Sequence, residues 1–261
     1  MAYVEKALKE AKQNSSWIAP NEPHDQAVKE FISRLLDPND NEEFVAAFER
    51  FMRKPQWAAY WNGLSQVLLK ITSPGVPDIY QGTELWDLSL VDPDNRRPVD
   101  YEYRNKALAK MKAEFASDPT AMIDRLLANP HDGCIKLWVM HRALAYRKSN
   151  PQLFTDGTYE ALEVAGERSD QVIAFARSHG QRSVIVLTSR FMTRFANQLK
   201  RPVGQAWGKT MLQLPGSITS QVWKDVLTGQ VIEGSEDGHL PLAALFSHLP
   251  VAILELSQTS H

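Results

Sequence analysis

The segment from Ser73 to Tyr103 concentrates side chains that form directional polar contacts: SPGVPDIYQGTELWDLSLVDPDNRRPVDYEY. Carbohydrate hydroxyl groups donate and accept hydrogen bonds at once, so a sugar site uses forked polar partners together with aromatic rings. The candidate forked partners are Asp92, Asp94, Asn95, Arg96 and Arg97, and the candidate rings are Tyr80, Trp86 and Tyr101. Alternatively, the loop is held by its own Asp–Arg pairs and the aromatic side chains belong to the core. The residue types alone leave both interpretations open.

The composition favours a neutral ligand. The chain has 261 residues, of which 43% are hydrophobic and 23% charged, and a formal net charge of -2. These proportions are typical of globular proteins, and a slightly negative chain has no general attraction for phosphates or anionic lipid. We therefore predict no nucleic acid and no membrane partner. The single cysteine, Cys134, is predicted to be a buried and unreactive thiol, which favours a cytoplasmic location.

Helical spacing of apolar side chains runs through most of the first 151 residues. Helices are predicted near residues 4–11, 27–36, 42–54, 55–71, 101–115, 121–127 and 134–148. Pro55 is expected to start the fourth of these, because proline suits the first turn of a helix. The short run from Val76 to Tyr80 is bounded by turn residues and is predicted to be a buried strand.

Beyond Pro151 the pattern changes to the alternation that is typical of strands. Strands are predicted at residues 159–164, 171–177, 183–188, 210–214, 221–226 and 251–256, with a hairpin turn at Thr228-Gly229. The predicted fold class is α+β, with a helical block and one buried strand over residues 1–151 and an antiparallel β-sandwich over residues 152–261.

A single strand cannot pair with itself, so the helical block with its one strand is predicted to be part of something larger. In a (β/α) barrel, each strand delivers its following loop to the face where ligands bind. By that logic Gln81, Glu84 and the loop over residues 87–100 lie at the mouth of a site.

The stretches PGVPDIYQGTE and DPDNRRPVDY closely resemble the segment at the eighth barrel strand of glycoside hydrolase family 13, the α-amylase family. The longer stretch LWDLSLVDPDNRRPVDY is more specific, and within that family it resembles the maltooligosyl trehalose synthases. Further similar stretches include AYVEKALKEAK, DGCIKLWVMHRALAYRKSNPQLFTDGTY and PVGQAWGKTMLQLP. The resemblance covers roughly Tyr3 to Leu256.

This resemblance implies the C-terminal part of a (β/α)8 barrel followed by a β-sandwich. It also implies an intramolecular transfer that converts the reducing-end α-1,4 linkage of a maltooligosaccharide into an α,α-1,1 linkage. One carboxylate would act as nucleophile and a second as acid/base, and no cofactor or metal is required. The implied partners are the maltooligosaccharide and the N-terminal remainder of the barrel. The residues expected to bind substrate are Gln81, Asp92, Asn95, Arg96 and Arg97.

The chain departs from the family pattern in one respect. The family's catalytic carboxylates and a His-Asp pair precede the eighth-strand motif, whereas only helical sequence precedes Gly75 here. We therefore predict that the chain has no catalytic residue of its own and is inactive alone. The pairs His24-Asp25 and His131-Asp132 are interpreted as solvated residues of helix ends or loops. A self-sufficient acid pair among Asp78, Glu84, Asp87 and Asp92 is the weaker alternative.

Two other functions stay open at the level of sequence. The sandwich could be a non-catalytic carbohydrate-binding module, with Tyr159, Trp207 and Trp223 as a platform, although such residues are more often core. The chain could also derive from an α-glucosidase of the same family, but this would not explain the match from Leu85 to Tyr101. If the barrel neighbours are absent, the strand edge at Val76 and the apolar helix before it are expected to be uncovered.

Overall fold

A computed structural model describes residues 1–195, 201–214, 222–235 and 237–257. The α-helices are α1 Ala2–Ala11, α2 Glu22–Leu35, α3 Glu42–Thr72, α4 Tyr101–Ser117, α5 Pro119–Ala128, α6 Cys134–Ser149, α7 Pro151–Thr155 and α8 Leu242–Leu245. The strands are β1 Thr158–Ala161, β2 Val164–Ala165, β3 Val172–His179, β4 Arg182–Ser189, β5 Met211–Gln213, β6 Val222–Asp225, β7 Val231–Glu233, β8 His239–Pro241 and β9 Val251–Leu256. Helices and antiparallel sheets are thus both present, as predicted. Within the described residues, no helix combines the length and apolar character needed to cross a bilayer.

The chain divides into two compact units, and each is described by itself. The first unit comprises residues 1–56 and 87–98, and the second comprises residues 57–86 and the chain from Val99 onward. The first unit contains α1, α2, the start of α3 and the polar loop of the predicted site. The second unit contains the rest of the helices and both sheets.

The first unit is held together by polar side chains. All its residues are described, and the buried ones among them are Lys6, Lys9, Ser15 and Asp25. Lys9 Nζ lies 2.8 Å from Asp25 Oδ2, and Ser15 Oγ donates to the same oxygen at 2.9 Å. Val4, Leu8 and Ala11 share one face of α1 by helical spacing, but the residues of α1 that the structure buries are Lys6 and Lys9. The apolar side chains of this unit consequently have no core of their own.

The prediction of separate helices on either side of Pro55 is wrong, because α3 runs unbroken from Glu42 to Thr72 with Pro55 inside it. An internal proline costs about 3 kcal/mol. After it, α3 buries a stripe of apolar side chains at helical spacing: Ala58, Trp61, Leu64, Val67, Leu68 and Ile71. Each such side chain contributes about 1.5 to 3 kcal/mol on burial, so the stripe outweighs the proline. The expectation that this apolar helix is uncovered is also wrong.

The predicted strand from Val76 to Tyr80 is not formed. The residues of this stretch are all described, they pair with none of the described strands, and Val76 is 91% exposed. Its contact with α3 is a hydrogen bond from Lys70 Nζ to the carbonyl oxygen of Asp78 at 3.1 Å. A strand exists only through its neighbours, and the segment has none here.

The other strand predictions are mostly confirmed. A six-stranded sheet has the order β1-β3-β4-β9-β6-β7, a three-stranded sheet has the order β2-β5-β8, and the pairings are antiparallel. The predicted run at 159–164 is divided between β1 and β2, and β8 was not predicted because it is short and ends in proline. Gln221, the first residue of one predicted strand, lies outside the described residues.

Strand β4 is buried on both faces. Val184 and Val186 belong to a core with the helices, whereas Ile185 and Leu187 belong to a second core with residues from both sheets. Because side chains alternate along a strand, one strand supplies both cores. Trp207 and Trp223 are fully buried in the second core, so they form no carbohydrate platform. For these two tryptophans the core interpretation is correct.

Two arginine side chains, of which Arg177 is buried and Arg147 is partly buried, organise the second unit. Arg177 on β3 is 1% exposed and donates to backbone oxygens of Thr72, Phe154, Gly157 and Thr158 at 2.9 to 3.1 Å. Beside it, Arg147 donates to Ile71 O and Gly75 O, both at 2.6 Å. The last two carbonyls of α3, those of Ile71 and Thr72, which the helix itself leaves unpaired, thereby receive hydrogen bonds.

The predicted hairpin at Thr228-Gly229 is formed by β6 and β7. Its anchor is the buried side chain of Asp225, which accepts from Thr228 Oγ1 at 2.6 Å and from the amides of Leu227 and Ile253 at 3.1 and 3.2 Å. Burial raises the pKa of Asp225 to about 6, although these hydrogen bonds oppose the rise.

Candidate functional site

The loop over residues 87–98 carries four of the five predicted binding residues, and all four lie in the first unit. Arg96 Nη2 donates to Asp92 Oδ2 at 2.6 Å, and Arg97 Nη2 donates to Asp94 Oδ1 at 3.1 Å. The hydrogen bond from Arg96, followed by one from Asn95, holds the pKa of Asp92 below its usual value. The interpretation of a loop held by its own Asp–Arg pairs is therefore correct for this conformation.

These pairs do not argue against a binding role. The side chains of Asp92 and Arg96 are 55% and 63% exposed, and exposed ion pairs contribute only about 0 to 1 kcal/mol. Asn95 differs, because its Oδ1 is buried and has no hydrogen-bond partner among the described residues. Buried acceptors are normally satisfied. The weakly held, exposed ion pair can exchange its hydrogen bonds for bonds to a ligand, and the Oδ1 of Asn95 can accept one. Both features suit the binding of sugar hydroxyl groups.

Lys6 of α1 holds the loop over residues 87–98 through contacts with Val91 and Asp94. Its Nζ lies 3.1 Å from Asp94 Oδ2 and donates to Val91 O at 3.0 Å, and the side chain is 9% exposed. Val91 has φ 48, a left-handed conformation that a β-branched residue rarely adopts. The buried lysine therefore stabilises a strained turn. Sequence reasoning missed Lys6, because it stands 85 positions from its partner and nothing in its local pattern signals the contact.

Replacing Lys6 by methionine is expected to loosen the loop. The variant keeps the aliphatic stem but removes the charge and the donor to Val91 O, so the amides of residues 87–98 should exchange with deuterium about tenfold faster. Lys29→Met is the matched control, because Lys29 forms a more exposed ion pair with Glu5 at 3.0 Å in the same unit. Equal exchange in both variants would contradict the assigned role of Lys6.

Gln81 and Glu84 lie in the second unit, in the turn after residues 76–80. Gln81 is exposed. Glu84 Oε2 accepts from Arg104 Nε at 3.1 Å, while Arg104 Nη2 donates to Gly82 O at 2.9 Å. Gly82 has φ +87, which favours glycine. Arg104 is thus a second organising residue that sequence reasoning missed, although its place in the first turn after the motif gives a weak signal.

Of the three predicted rings, Trp86 is a packing residue. Its Nε1 donates to Pro130 O at 2.7 Å, and its ring lies so close to Gly63 that a Cβ there would be 2.7 Å from Cζ3. The ring of Tyr60 is 5.4 Å from it. The prediction that Trp86 offers a face to sugar is wrong, because that face is occupied. Tyr80 and Tyr101 are 45% and 52% exposed and keep accessible rings.

The two His-Asp pairs have structural partners. Asp25 is 4% exposed, so the interpretation that it is solvated is wrong; the hydrogen bond from Lys9 is the main reason that its pKa is lowered. His131 Nδ1 lies 2.8 Å from Tyr60 Oη, and Asp132 Oδ1 accepts from the amide of Cys134 at 2.8 Å. In the part of the chain that the structure describes, no group of His, Cys, Asp and Glu could hold a metal ion. Cys134 is buried, as predicted.

Three of the four candidate carboxylates form hydrogen bonds within their own unit. Glu84 is bonded to Arg104, and Asp87 accepts from the amide of Ser89 at 2.9 Å. Asp92 has a lowered pKa, so it stays ionised and is unsuited to act as a general acid. These hydrogen bonds are compatible with a structural or binding role for the three side chains.

No family model matches the chain. Among curated proteins, the putative maltooligosyl trehalose synthase of Mycobacterium tuberculosis (strain CDC 1551 / Oshkosh) is 34% identical over 252 residues, which are 97% of this chain. The chain belongs to the maltooligosyl trehalose synthase family. It spans 27% of the length of that relative, so the chain corresponds to only a portion of it.

Solved structures agree with this assignment. The maltooligosyltrehalose synthase of Arthrobacter ramosus is 30% identical, has a TM-score of 0.76 and matches 98% of this chain over 30% of its own length. A hypothetical maltooligosyl trehalose synthase of Sulfolobus tokodaii is 26% identical, with a TM-score of 0.61, and matches 97% of this chain over 28% of its own. The predicted family is confirmed, and these shares are consistent with the predicted C-terminal portion of a maltooligosyl trehalose synthase.

Proposed function

We propose that this chain supplies the C-terminal portion of an enzyme that converts the reducing-end α-1,4 linkage of maltooligosaccharides into an α,α-1,1 linkage, in the cytoplasm. The observation that carries the proposal is the match of 97% of the chain to a putative maltooligosyl trehalose synthase at 34% identity. The implied partners are the maltooligosaccharide and the N-terminal remainder of the barrel.

In this proposal the chain contributes one wall of the site rather than its catalytic groups. Asp92, Asn95, Arg96 and Arg97 would hold hydroxyl groups of a glucose unit, and Gln81 would contact the same substrate from the end of the eighth-strand segment. Support comes from the exposed ion pairs of the loop and the open Oδ1 of Asn95. Retaining transfer needs a nucleophilic carboxylate and an acid/base carboxylate. Both would come from the remainder of the enzyme.

The same proposal assigns an architecture to this chain within the complete enzyme. Residues 1–151 would be a helical insertion, the eighth strand and outer helices of a (β/α)8 barrel, and residues 152–261 a β-sandwich. The position of residues 76–80 outside both sheets supports this, because a segment without strand partners can pair with neighbouring barrel strands. In a complete enzyme we expect these residues to be a parallel strand.

A chimera tests the proposed function. The matched portion of the Mycobacterium tuberculosis relative is replaced by this chain, and maltopentaose conversion to the non-reducing, trehalose-ended product is measured. We expect product from the chimera and none from the chain alone. Arg96→Gln should reduce kcat/KM of the chimera about tenfold, because a charge-assisted hydrogen bond is worth about 1.5 to 3 kcal/mol.

Arg34→Gln is the control for that variant, since the Arg34 side chain is 82% exposed and outside the loop. Product formed by the chain alone would overturn the claim that the catalytic carboxylates lie elsewhere. A folded chimera that binds maltopentaose but forms no product would overturn the assignment of the reaction.

A further inference from the structure

The first half of α3 displays an apolar stripe to solvent. Phe44, Phe48, Phe51 and Met52 stand at helical positions i, i+4, i+7 and i+8, which lie on one face. They are 42%, 44%, 68% and 38% exposed, and the rings of Phe44 and Phe48 stack with centroids 6.1 Å apart. Every residue from 47 to 54 is exposed. In the part of the chain that the structure describes, these turns of the helix are therefore not buried.

The first unit, which the structure describes throughout, has no apolar core against which this stripe packs. Its buried side chains are polar, and Phe31 and Leu36 of the α2 region are also 62% and 48% exposed. Soluble monomers rarely expose contiguous apolar patches of this kind, and such patches usually mark interaction sites. A helix with anchors at i, i+4 and i+7 is a form that grooves in partner proteins recognise.

We propose that the Phe44–Met52 stripe of α3 docks into an apolar groove on the part of a complete maltooligosyl trehalose synthase that lies outside this chain. This inference rests on the proposed function. Chain length supports that occupant, because relatives that match 97% or 98% of this chain, this helix region included, are more than three times as long. The region that carries the stripe thus has a counterpart in proteins with several hundred further residues.

The charges beside the stripe fit the same role. Glu42 and Glu43 stand in the first turn of α3, and Glu49, Arg50, Arg53 and Lys54 follow outside the stripe. An apolar centre bordered by charges of both signs is the usual anatomy of a docking surface. Since the exposed aromatic side chains have few contacts to lose, substituting them should leave the fold of this chain intact.

Cysteine labelling tests the inference on two proteins that can each be produced whole. Phe48→Cys is made in this chain, and the aligned position is changed to cysteine in the complete Mycobacterium tuberculosis relative. A maleimide dye should label the 261-residue chain rapidly and the complete relative at least about 100-fold more slowly, because a docked position reacts only through local opening. The unsubstituted proteins give the background, to which the buried Cys134 contributes little.

Arg53→Cys and its aligned counterpart are the matched control, because Arg53 lies on the opposite face of the helix; we expect rapid labelling in both proteins. Equal rates at position 48 in both proteins would overturn the inference. Slow labelling of the isolated chain would also overturn the inference. If the labelling rate then falls with protein concentration, a second copy of the chain covers the stripe; if the rate does not change, the chain itself covers it. Conversion of maltopentaose by the complete relative is measured in parallel, so a failure of the proposed function is seen separately.

Discussion

Replacing Arg177 by methionine is expected to lower the free energy of unfolding by about 3 kcal/mol. The guanidinium group is buried and its donors satisfy carbonyl oxygens of Thr72, Phe154, Gly157 and Thr158. Methionine fills a similar volume but donates nothing, and each buried acceptor left unpaired costs about 1 to 3 kcal/mol. Desolvation lowers the pKa of Arg177, which shows that its buried charge is unfavourable. The substitution removes this charge, and that gain offsets part of the loss.

Chemical denaturation of the variants measures this effect. Arg182→Met is the matched control, because Arg182 is exposed and its hydrogen bond goes to Asn150 Oδ1 at 2.7 Å, so the change should stay within about 0.5 kcal/mol. Arg177→Lys should fall between the two, since an ammonium group cannot reach several carbonyls in fixed directions. If Arg177→Met is no less stable than Arg182→Met, these hydrogen bonds do not organise the second unit.

The second large effect concerns pH. The pKa of Asp225 is raised from 3.8 to about 6 in the folded chain, so the folded state binds more protons than the unfolded state between these values. Stability from this group is therefore fully present below about pH 4 and is lost as pH rises through about 6. A difference of about two pKa units corresponds to about 3 kcal/mol.

Asp225→Asn removes this dependence, because asparagine does not ionise. We expect the difference in unfolding free energy between the unmodified chain and this variant to fall by up to about 3 kcal/mol from pH 4 to pH 7. Asp156→Asn controls for the loss of an exposed carboxylate. A constant difference across that range would mean that Asp225 titrates alike in the folded and unfolded states.

Sequence patterns predicted most of the second unit because its elements are held by the burial of apolar side chains. The alternating residues of β4 and the turn at Thr228-Gly229 are local signals with one structural solution. Pro55 shows where local patterns fail. Proline predicted a helix boundary, but the helix continues through it, because burial of the apolar stripe that begins at Ala58 outweighs the cost of the proline. The strand at Val76 failed for a related reason, because pairing depends on residues that are not adjacent in sequence.

The candidate site was predicted in its residue types but not in its arrangement. The sequence pointed to Asp92, Arg96 and Arg97 through forked side chains in one loop. It did not reveal Lys6 or Arg104, because hydrogen bonds from distant positions leave no periodic trace. Trp86 was misassigned since an aromatic residue beside a polar loop has the same sequence signature whether its ring faces a ligand or Gly63.

Because both faces of β4 are buried, the sheet region cannot simply be expressed alone or fused to another protein. Val184 and Val186 share their core with helices that precede Pro151, such as α6. A piece cut at the predicted boundary would carry this face as bare apolar surface, and would be prone to aggregate or to repack. The sheet region is therefore not portable: it can be moved between proteins only together with the helices that cover it.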